Sequence, residues 1–162
     1  MLSAASAPTR TRAVITFPIG PVWLGAPMEE VAGLVEAERL VSLPGQREPL
    51  EGVVAFRGDV VPTIDLPALL GIEPARPSAD RLCAVILARG SEKFGMLLPT
   101  IPVLVPANEL READRAAADP GLQSITESLY EAGDIRIHCL EYWPLLDAVL
   151  PPAEATRGAH GY

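Results

Sequence analysis

The chain has few of the residues from which metal centres and disulfide frameworks are built. Its 162 residues include only two cysteines and two histidines. Cys83 and Cys139 both lie in apolar runs typical of strands, so we expect two buried free thiols rather than a disulfide. His138 and Cys139 are neighbours, and neighbouring residues of a strand point to opposite faces. Because their spacing matches no zinc motif, the sequence predicts no metal and no cofactor.

Long apolar runs and excess positive charge are also missing. No apolar run approaches the ~20 residues that a helix needs to cross a bilayer, so we predict no membrane insertion. The formal net charge of −8 opposes binding to nucleic acid and to anionic membrane surfaces. Arg10 and Arg12 precede no apolar segment with a cleavage site, which indicates no signal peptide and a cytoplasmic location.

The groups of a catalytic centre are equally scarce. We expect His138 to lie in the middle of a strand and to face solvent, and His160 to lie in a C-terminal tail. Neither has a Ser or Asp partner in a recognisable motif. Gly58, Gly71 and Gly90 occur at predicted turns, and no glycine spacing typical of a phosphate cradle is present. The sequence therefore predicts a protein that is not an enzyme.

The chain does contain a large apolar fraction divided by many turn residues. Hydrophobic residues make up 49% of it, and it has 17 prolines and 13 glycines. This composition predicts a folded core built from short strands rather than long helices. We expect a mobile tail over residues 1–12, one domain over 13–150 and a frayed tail over 151–162. The proline-rich stretch 73–80 is predicted to be a linker between subdomains of about 13–75 and 80–150.

Two segments have ambiguous periodicity. Residues 33–43 fit both a helix and a strand. In residues 107–121, Asn108 could cap a helix running from Glu109 toward Ala118, but the same residues fit a flexible charged loop. The C-terminal residues 141–149 are predicted to form a helix.

Residues 52–66 are the most informative stretch. They predict a strand, a two-residue turn, a second strand and a helix cap. Gly58 and Asp59 are expected to form a type II′ turn, because glycine accepts the positive φ that this turn requires. The Asp65 carboxylate is predicted to cap a short helix that ends at Gly71. Arg57 at the hairpin tip is either a structural arginine bonded to loop carbonyls or a contact at a protein interface.

The string FRGDVVPTIDLPALLGI, residues 56–72, resembles the central signature of CheW-like chemotaxis coupling proteins. In that family an apolar residue, Arg and Gly precede an apolar-Pro-x-apolar-Asp-Leu run. The similarity extends over residues 13–150. Residues 15–20 resemble the family's first strand, 94–98 its second glycine strand, and 133–137 its terminal strand.

This resemblance implies a mainly β fold, with two five-stranded SH3-like barrels packed side by side, short helices and a C-terminal helix. It favours a strand within residues 33–43. It also implies a non-catalytic adaptor in receptor arrays at the inner face of the membrane. The adaptor's partners would be the cytoplasmic tip of a methyl-accepting chemoreceptor and the regulatory domain of a CheA-type histidine kinase.

The resemblance also assigns roles to individual residues. Val31 and Leu34, which would fit a core equally well, are implied to line the groove that receives the receptor tip. The predicted partner-binding residues are Arg57, Val31, Leu34, Gly58 and Val61. The predicted turn and cap residues are Gly52, Asp65, Gly71 and Gly95.

Some positions depart from the family pattern. Gly33 stands where many members carry glutamate, and Pro99 stands where many carry aspartate. The pathway therefore stays open: the adaptor could serve pilus motility or second-messenger control instead of flagellar motility. A different class of function is a small-ligand or hydrolytic barrel protein that would depend on Asp65 or His138.

Overall fold

A computed structural model of the chain describes residues 12–45, 48–72 and 81–148. Most of these residues lie in strands, which confirms the mainly β class. The strands are β1 (Val14–Ile19), β2 (Val22–Pro27), β3 (Val31–Glu36), β4 (Leu50–Phe56), β5 (Asp59–Asp65), β6 (Cys83–Arg89), β7 (Glu92–Leu98), β8 (Val103–Val105), β9 (Arg111–Ala113), β10 (Thr126–Ala132) and β11 (Ile135–Leu140). The α-helices are α1 (Leu66–Leu70) and α2 (Tyr142–Asp147). Single 3₁₀ turns span Met28–Glu30, Ala37–Arg39, Ala107–Glu109, Arg115–Ala117 and Gln123–Ile125.

The strands form two sheets that do not follow the two halves of the chain. A six-stranded sheet has the order β8-β1-β2-β11-β10-β9, and a five-stranded sheet has the order β3-β6-β7-β5-β4. Two parallel pairings, β2 with β11 and β5 with β7, join strands that are distant in sequence. Local turn signals carry no information about such pairings.

The compact units accordingly differ from the predicted subdomains 13–75 and 80–150. Among the described residues, the first unit combines 12–31 with Thr100–Leu140. The second combines the described part of Ala32–Pro99 with 141–148. The predicted linker 73–80 and the tail 151–162 lie outside the described residues, as does nearly all of the predicted tail 1–12.

The first unit has a core formed by β1, β2, β10 and β11. Val14, Ile137 and Cys139 are buried together. Gly25 in β2 lies against this cluster, and an added Cβ would be 2.7 Å from side-chain carbons of both Val14 and Ile137. A glycine is therefore needed at this position for the core to close.

The second unit is built around β6 and β7. Every residue from Cys83 to Leu87 is buried, as expected for the continuous apolar run in this strand. Trp143 of α2 is buried and meets Phe94 of β7 edge to face, with ring centroids 4.8 Å apart. Because Tyr142, Trp143 and Leu146 are the buried residues of α2, the predicted C-terminal helix contributes directly to this core.

The two segments of ambiguous periodicity, residues 33–43 and 107–121, both contain strand residues and single 3₁₀ turns, and neither contains an α-helix. Residues 107–121 form neither the helix nor the loop that was expected, because β9 pairs with β10 between two 3₁₀ turns. Asp114 follows β9 and caps the next 3₁₀ turn, its carboxylate accepting a hydrogen bond from the Ala116 N–H. In residues 33–43, β3 ends at Glu36 and an isolated bridge joins Val41 to Val53. None of the helices within the described ranges has the length and apolar character needed to cross a membrane.

Candidate protein-interaction surface

The β4–β5 hairpin has a different turn from the one predicted. Its last register pair is Phe56 with Asp59, so the turn residues are Arg57 and Gly58 rather than Gly58 and Asp59. Both have positive φ, 50° for Arg57 and 84° for Gly58. This is the pattern of a type I′ turn, not of a type II′ turn. No local pattern indicated this turn, because positive φ is uncommon for a residue such as arginine.

Arg57 is exposed at the tip of this hairpin. Its guanidinium carbon lies 4.8 Å from the centroid of the Phe56 ring, a cation–π arrangement. No carboxylate or loop carbonyl among the described residues bonds to it, so the structural-arginine interpretation finds no support there. The guanidinium is held over a ring with its hydrogen-bond donors available to a partner.

One face of the hairpin is apolar and open to solvent. The register places Val53 opposite Pro62 and Ala55 opposite Val60, and the bridge places Val41 opposite Val53. Directly paired residues share a face of the sheet, so these five residues form one uncharged surface, which we call the hairpin face. Val60 is 69% exposed. Contiguous exposed apolar surface of this kind is typical of interaction sites.

Val61 was predicted to bind a partner, and this prediction is wrong. Its side chain is only 1% exposed and packs in the core with Val54. Alternate residues of a strand point to opposite faces, so the outward residue is its neighbour Val60. The prediction therefore chose the residue on the buried face of β5 rather than the residue on its exposed face.

Val31 and Leu34 lie three positions apart on β3 and therefore point to opposite faces of that strand. Val31 is partly buried, whereas Leu34 is 52% exposed. Between them, Gly33 lies against Phe56, and an added Cβ would approach the ring to 2.8 Å. Because residue 33 is a glycine, the Phe56 ring beneath Arg57 can occupy space that a side chain at residue 33 would otherwise fill.

Gly52, Gly71 and Gly95 were predicted as turn or cap residues. Gly71 has that role, whereas Gly52 and Gly95 lie inside β4 and β7, so the prediction is wrong for those two. Gly52 occupies an irregularity in β4 at φ 151°, and a Cβ there would overlap the carbonyl oxygen of Val41. Gly71 is the α1 C-cap at φ 70°. At Gly95 a Cβ would lie 2.8 Å from the Thr63 hydroxyl oxygen. Gly52 and Gly95 therefore allow the close approach of Val41 and Thr63, where a side chain would not fit.

Asp65 occupies the N-cap position of α1, but its carboxylate makes no capping hydrogen bond. Instead its Oδ1 accepts from the Arg81 Nε–H at 2.7 Å and lies 2.7 Å from Nη2. Both side chains are buried, which makes a charge-assisted bond to a guanidinium more favourable than a cap to a backbone N–H. This pair ties the start of β6 to the end of β5.

His138 was expected to face solvent, and this expectation is wrong. Its side chain is buried, with Nε2 accepting from the Asp119 backbone N–H at 3.0 Å. Since that nitrogen accepts, Nδ1 carries the proton and donates to the Trp23 carbonyl oxygen at 2.9 Å. Both ring nitrogens are therefore bonded to backbone groups, which accounts for the burial of the ring.

The other candidate reactive groups among the described residues are the two cysteine thiols and the possible metal ligands. Burial, together with nearby glutamates, raises the pKa of the Cys139 thiol to about 12, and burial also raises the pKa of Cys83. Both remain buried free thiols, as predicted. Within the described ranges no three His, Cys, Asp or Glu side chains are grouped so that they could hold a metal ion.

Sequence reasoning missed one exposed apolar segment. Ile101, Val103 and Leu104 are all exposed, and β8 is an edge strand of its sheet. A signal was present, since residues 94–108 carry no charged side chain. Three prolines in this stretch, at 99, 102 and 106, limit open-ended pairing of its edge.

Two small sheets and an exposed apolar hairpin face define a mainly β protein of the kind that serves as a binding module. A family model described as the CheW-like domain matches residues 13–128, so the chain belongs to the CheW-like domain family. The resemblance found in residues 56–72 is thereby confirmed.

The fold has a counterpart among solved structures. The scaffolding protein TtCheW from Thermoanaerobacter tengcongensis is similar over 83% of this chain and 87% of its own, with a TM-score of 0.67 and 20% identity. This likeness concerns the fold alone. A search of curated protein sequences found no significant match.

Proposed function

We propose that this chain is a non-catalytic adaptor of a chemosensory array in the cytoplasm. It joins the regulatory domain of a CheA-type histidine kinase to the cytoplasmic tip of a methyl-accepting chemoreceptor. The observation that carries the proposal is the uncharged, exposed hairpin face beside the unbonded guanidinium of Arg57. Membership of the CheW-like family and the similarity to a protein named as a scaffold support it.

The hairpin face is assigned to the kinase. Burial of its apolar side chains against a sheet of the kinase domain contributes roughly 25 cal/mol per Å² removed from water. Val60 is the most exposed member and is expected to act as the anchor. Arg57 at the edge of the face would fork onto a partner carboxylate, which adds orientation to the apolar contact.

The receptor is assigned to β3. Leu34 is exposed whereas Val31 is partly buried, so Leu34 is expected to make the larger contribution to the contact. A helical receptor tip would bury this leucine in the way that amphipathic helices bury apolar anchors. Binding both partners at once allows the receptor state to shift the kinase population, which is the coupling an adaptor provides.

Calorimetric titration with the kinase regulatory domain and, separately, with a receptor cytoplasmic fragment tests this proposal. Val60→Glu is expected to weaken kinase binding at least about tenfold, because a charge replaces the central apolar contact. Receptor binding should not change. Val103→Glu is the matched control, since Val103 is also an exposed valine on a strand.

Two results would contradict different parts of this proposal. If the unaltered chain binds neither partner, the adaptor proposal is wrong. If it binds the kinase domain but Val60→Glu and Val103→Glu behave alike, the hairpin face is not the kinase surface.

A further inference from the structure

Residues 114–121 are attached to β11 by two side chains on one face of that strand. Arg136 Nη1 donates to the Ala117 carbonyl oxygen at 2.8 Å. His138, two residues further on, accepts from the Asp119 N–H at 3.0 Å. The segment itself contains only turns beyond β9. Besides the packing of buried Ala118, these two bonds link it to β11.

The two attachments differ in their response to acid. Arginine stays protonated at every pH at which proteins fold, so its bond to Ala117 does not change. Histidine side chains gain a proton in the mildly acidic range. A proton taken from solvent by Nε2 of His138 would turn this atom into a donor that faces another donor, the Asp119 N–H.

We propose that His138 is a pH-sensitive attachment that releases residues 118–121 from β11 in acid. The neutral ring holds the Asp119 N–H, and the imidazolium cannot accept it. Nδ1 keeps its bond to the Trp23 carbonyl in both states, so the ring stays seated while the segment leaves. This property goes beyond the adaptor role and does not depend on it.

The charged groups around the ring permit this protonation. Asp119 from the segment, Asp134 from the β10–β11 turn and Arg136 from β11 line the same recess as His138. Two carboxylates and one guanidinium give no net positive charge there. On the remaining sides, β2 contributes Trp23 and Leu24 and β10 contributes Leu129, which are uncharged.

Amide hydrogen exchange followed by NMR tests the proposal at about pH 7.5 and about pH 5.5. After correction for intrinsic rates, protection of the Asp119 amide should fall by about tenfold in acid, as expected for loss of a partly buried hydrogen bond. The Val41 amide, which bonds to the Val53 carbonyl in the second unit, serves as the internal control and should not change.

A non-titrating variant sharpens the test. His138→Gln places a carbonyl oxygen near the position of Nε2, so the Asp119 amide should stay protected at both pH values. Ring ¹⁵N shifts of the unaltered protein give a second measurement, which does not depend on the variant folding. The proposal is overturned if Asp119 protection does not fall in acid, whether or not the ring protonates, or if protection is lost while the ring stays neutral.

Discussion

The hairpins β4–β5 and β10–β11 share a two-residue connection but present opposite chemistry. In β10–β11 the turn is Gly133-Asp134, with positive φ at the glycine alone, which is the geometry predicted for Gly58-Asp59. Its outward charges satisfy one another, since the Glu131 carboxylate lies 3.5 Å from the Arg111 guanidinium and 3.6 Å from that of Arg136.

In the β4–β5 hairpin, by contrast, the outward apolar residues are exposed and the arginine has no ion-pair partner among the described residues. Val60 is open to solvent, and no described carboxylate pairs with Arg57. The two hairpins therefore differ in whether their outward side chains find partners within the chain. Exposed apolar side chains without such partners favour an interaction surface on β4–β5.

The largest expected effect distinguishes the two faces of β5. Val61→Asp places an unpaired charge in the core and should lower the free energy of unfolding by about 4 kcal/mol or prevent folding. Val60→Asp, one residue earlier, should change it by no more than about 0.5 kcal/mol. Urea unfolding of both variants measures the difference, and equal losses would contradict the assigned strand orientation.

The second effect concerns Cys139 in β11. Its pKa is raised to about 12 from a usual value of 9.0, so the fold favours the neutral thiol. The resulting stabilisation is complete below about pH 9 and is lost as the pH rises toward 12. Cys139→Ala should flatten the alkaline part of a pH–stability profile, and an unchanged slope would show that other groups cause it.

A smaller effect is expected from the hairpin tip. Arg57→Glu reverses the charge beside the hairpin face and should weaken binding of the kinase regulatory domain by about tenfold. The thermal midpoint should not change, because the side chain is exposed. Arg57→Lys is the matched variant, since it keeps the charge and loses the fork. If Arg57→Glu binds as tightly as the unaltered chain, Arg57 is not part of the contact.

The smallest effect is expected where charges are already paired. Glu131→Ala removes the carboxylate between Arg111 and Arg136 and should cost at most about 1 kcal/mol, because these side chains are largely solvated. Its effect should shrink further in high salt. If Glu131→Ala lowers the affinity for the kinase regulatory domain, the β10–β11 hairpin is also part of the contact. The proposed difference between the two hairpins would then be wrong.

Local signals in the sequence predicted local structure well. The hairpin strands, the α1 C-cap at Gly71 and the buried run of β6 all depend on neighbouring residues, and all are present. The family was also visible, because its signature is one continuous string. Partner roles for Arg57, Gly58, Val31 and Leu34 remain predictions.

The errors arose where distant residues decide the outcome. The burial of His138 depends on the Trp23 carbonyl and the Asp119 amide, which β2 and the 118–121 turn bring to it. The pairing of Asp65 with Arg81 spans the stretch 73–80 that was predicted to be a linker. Neither contact has a local pattern that sequence reasoning could use.

The contact between Gly33 and Phe56 restricts how this adaptor could exchange specificity with its relatives. The family's common glutamate at residue 33 would need the volume that the aromatic ring fills, so introducing it alone would displace the ring and the cation resting on it. A variant that carries a side chain at residue 33 therefore needs a smaller residue at position 56 as well.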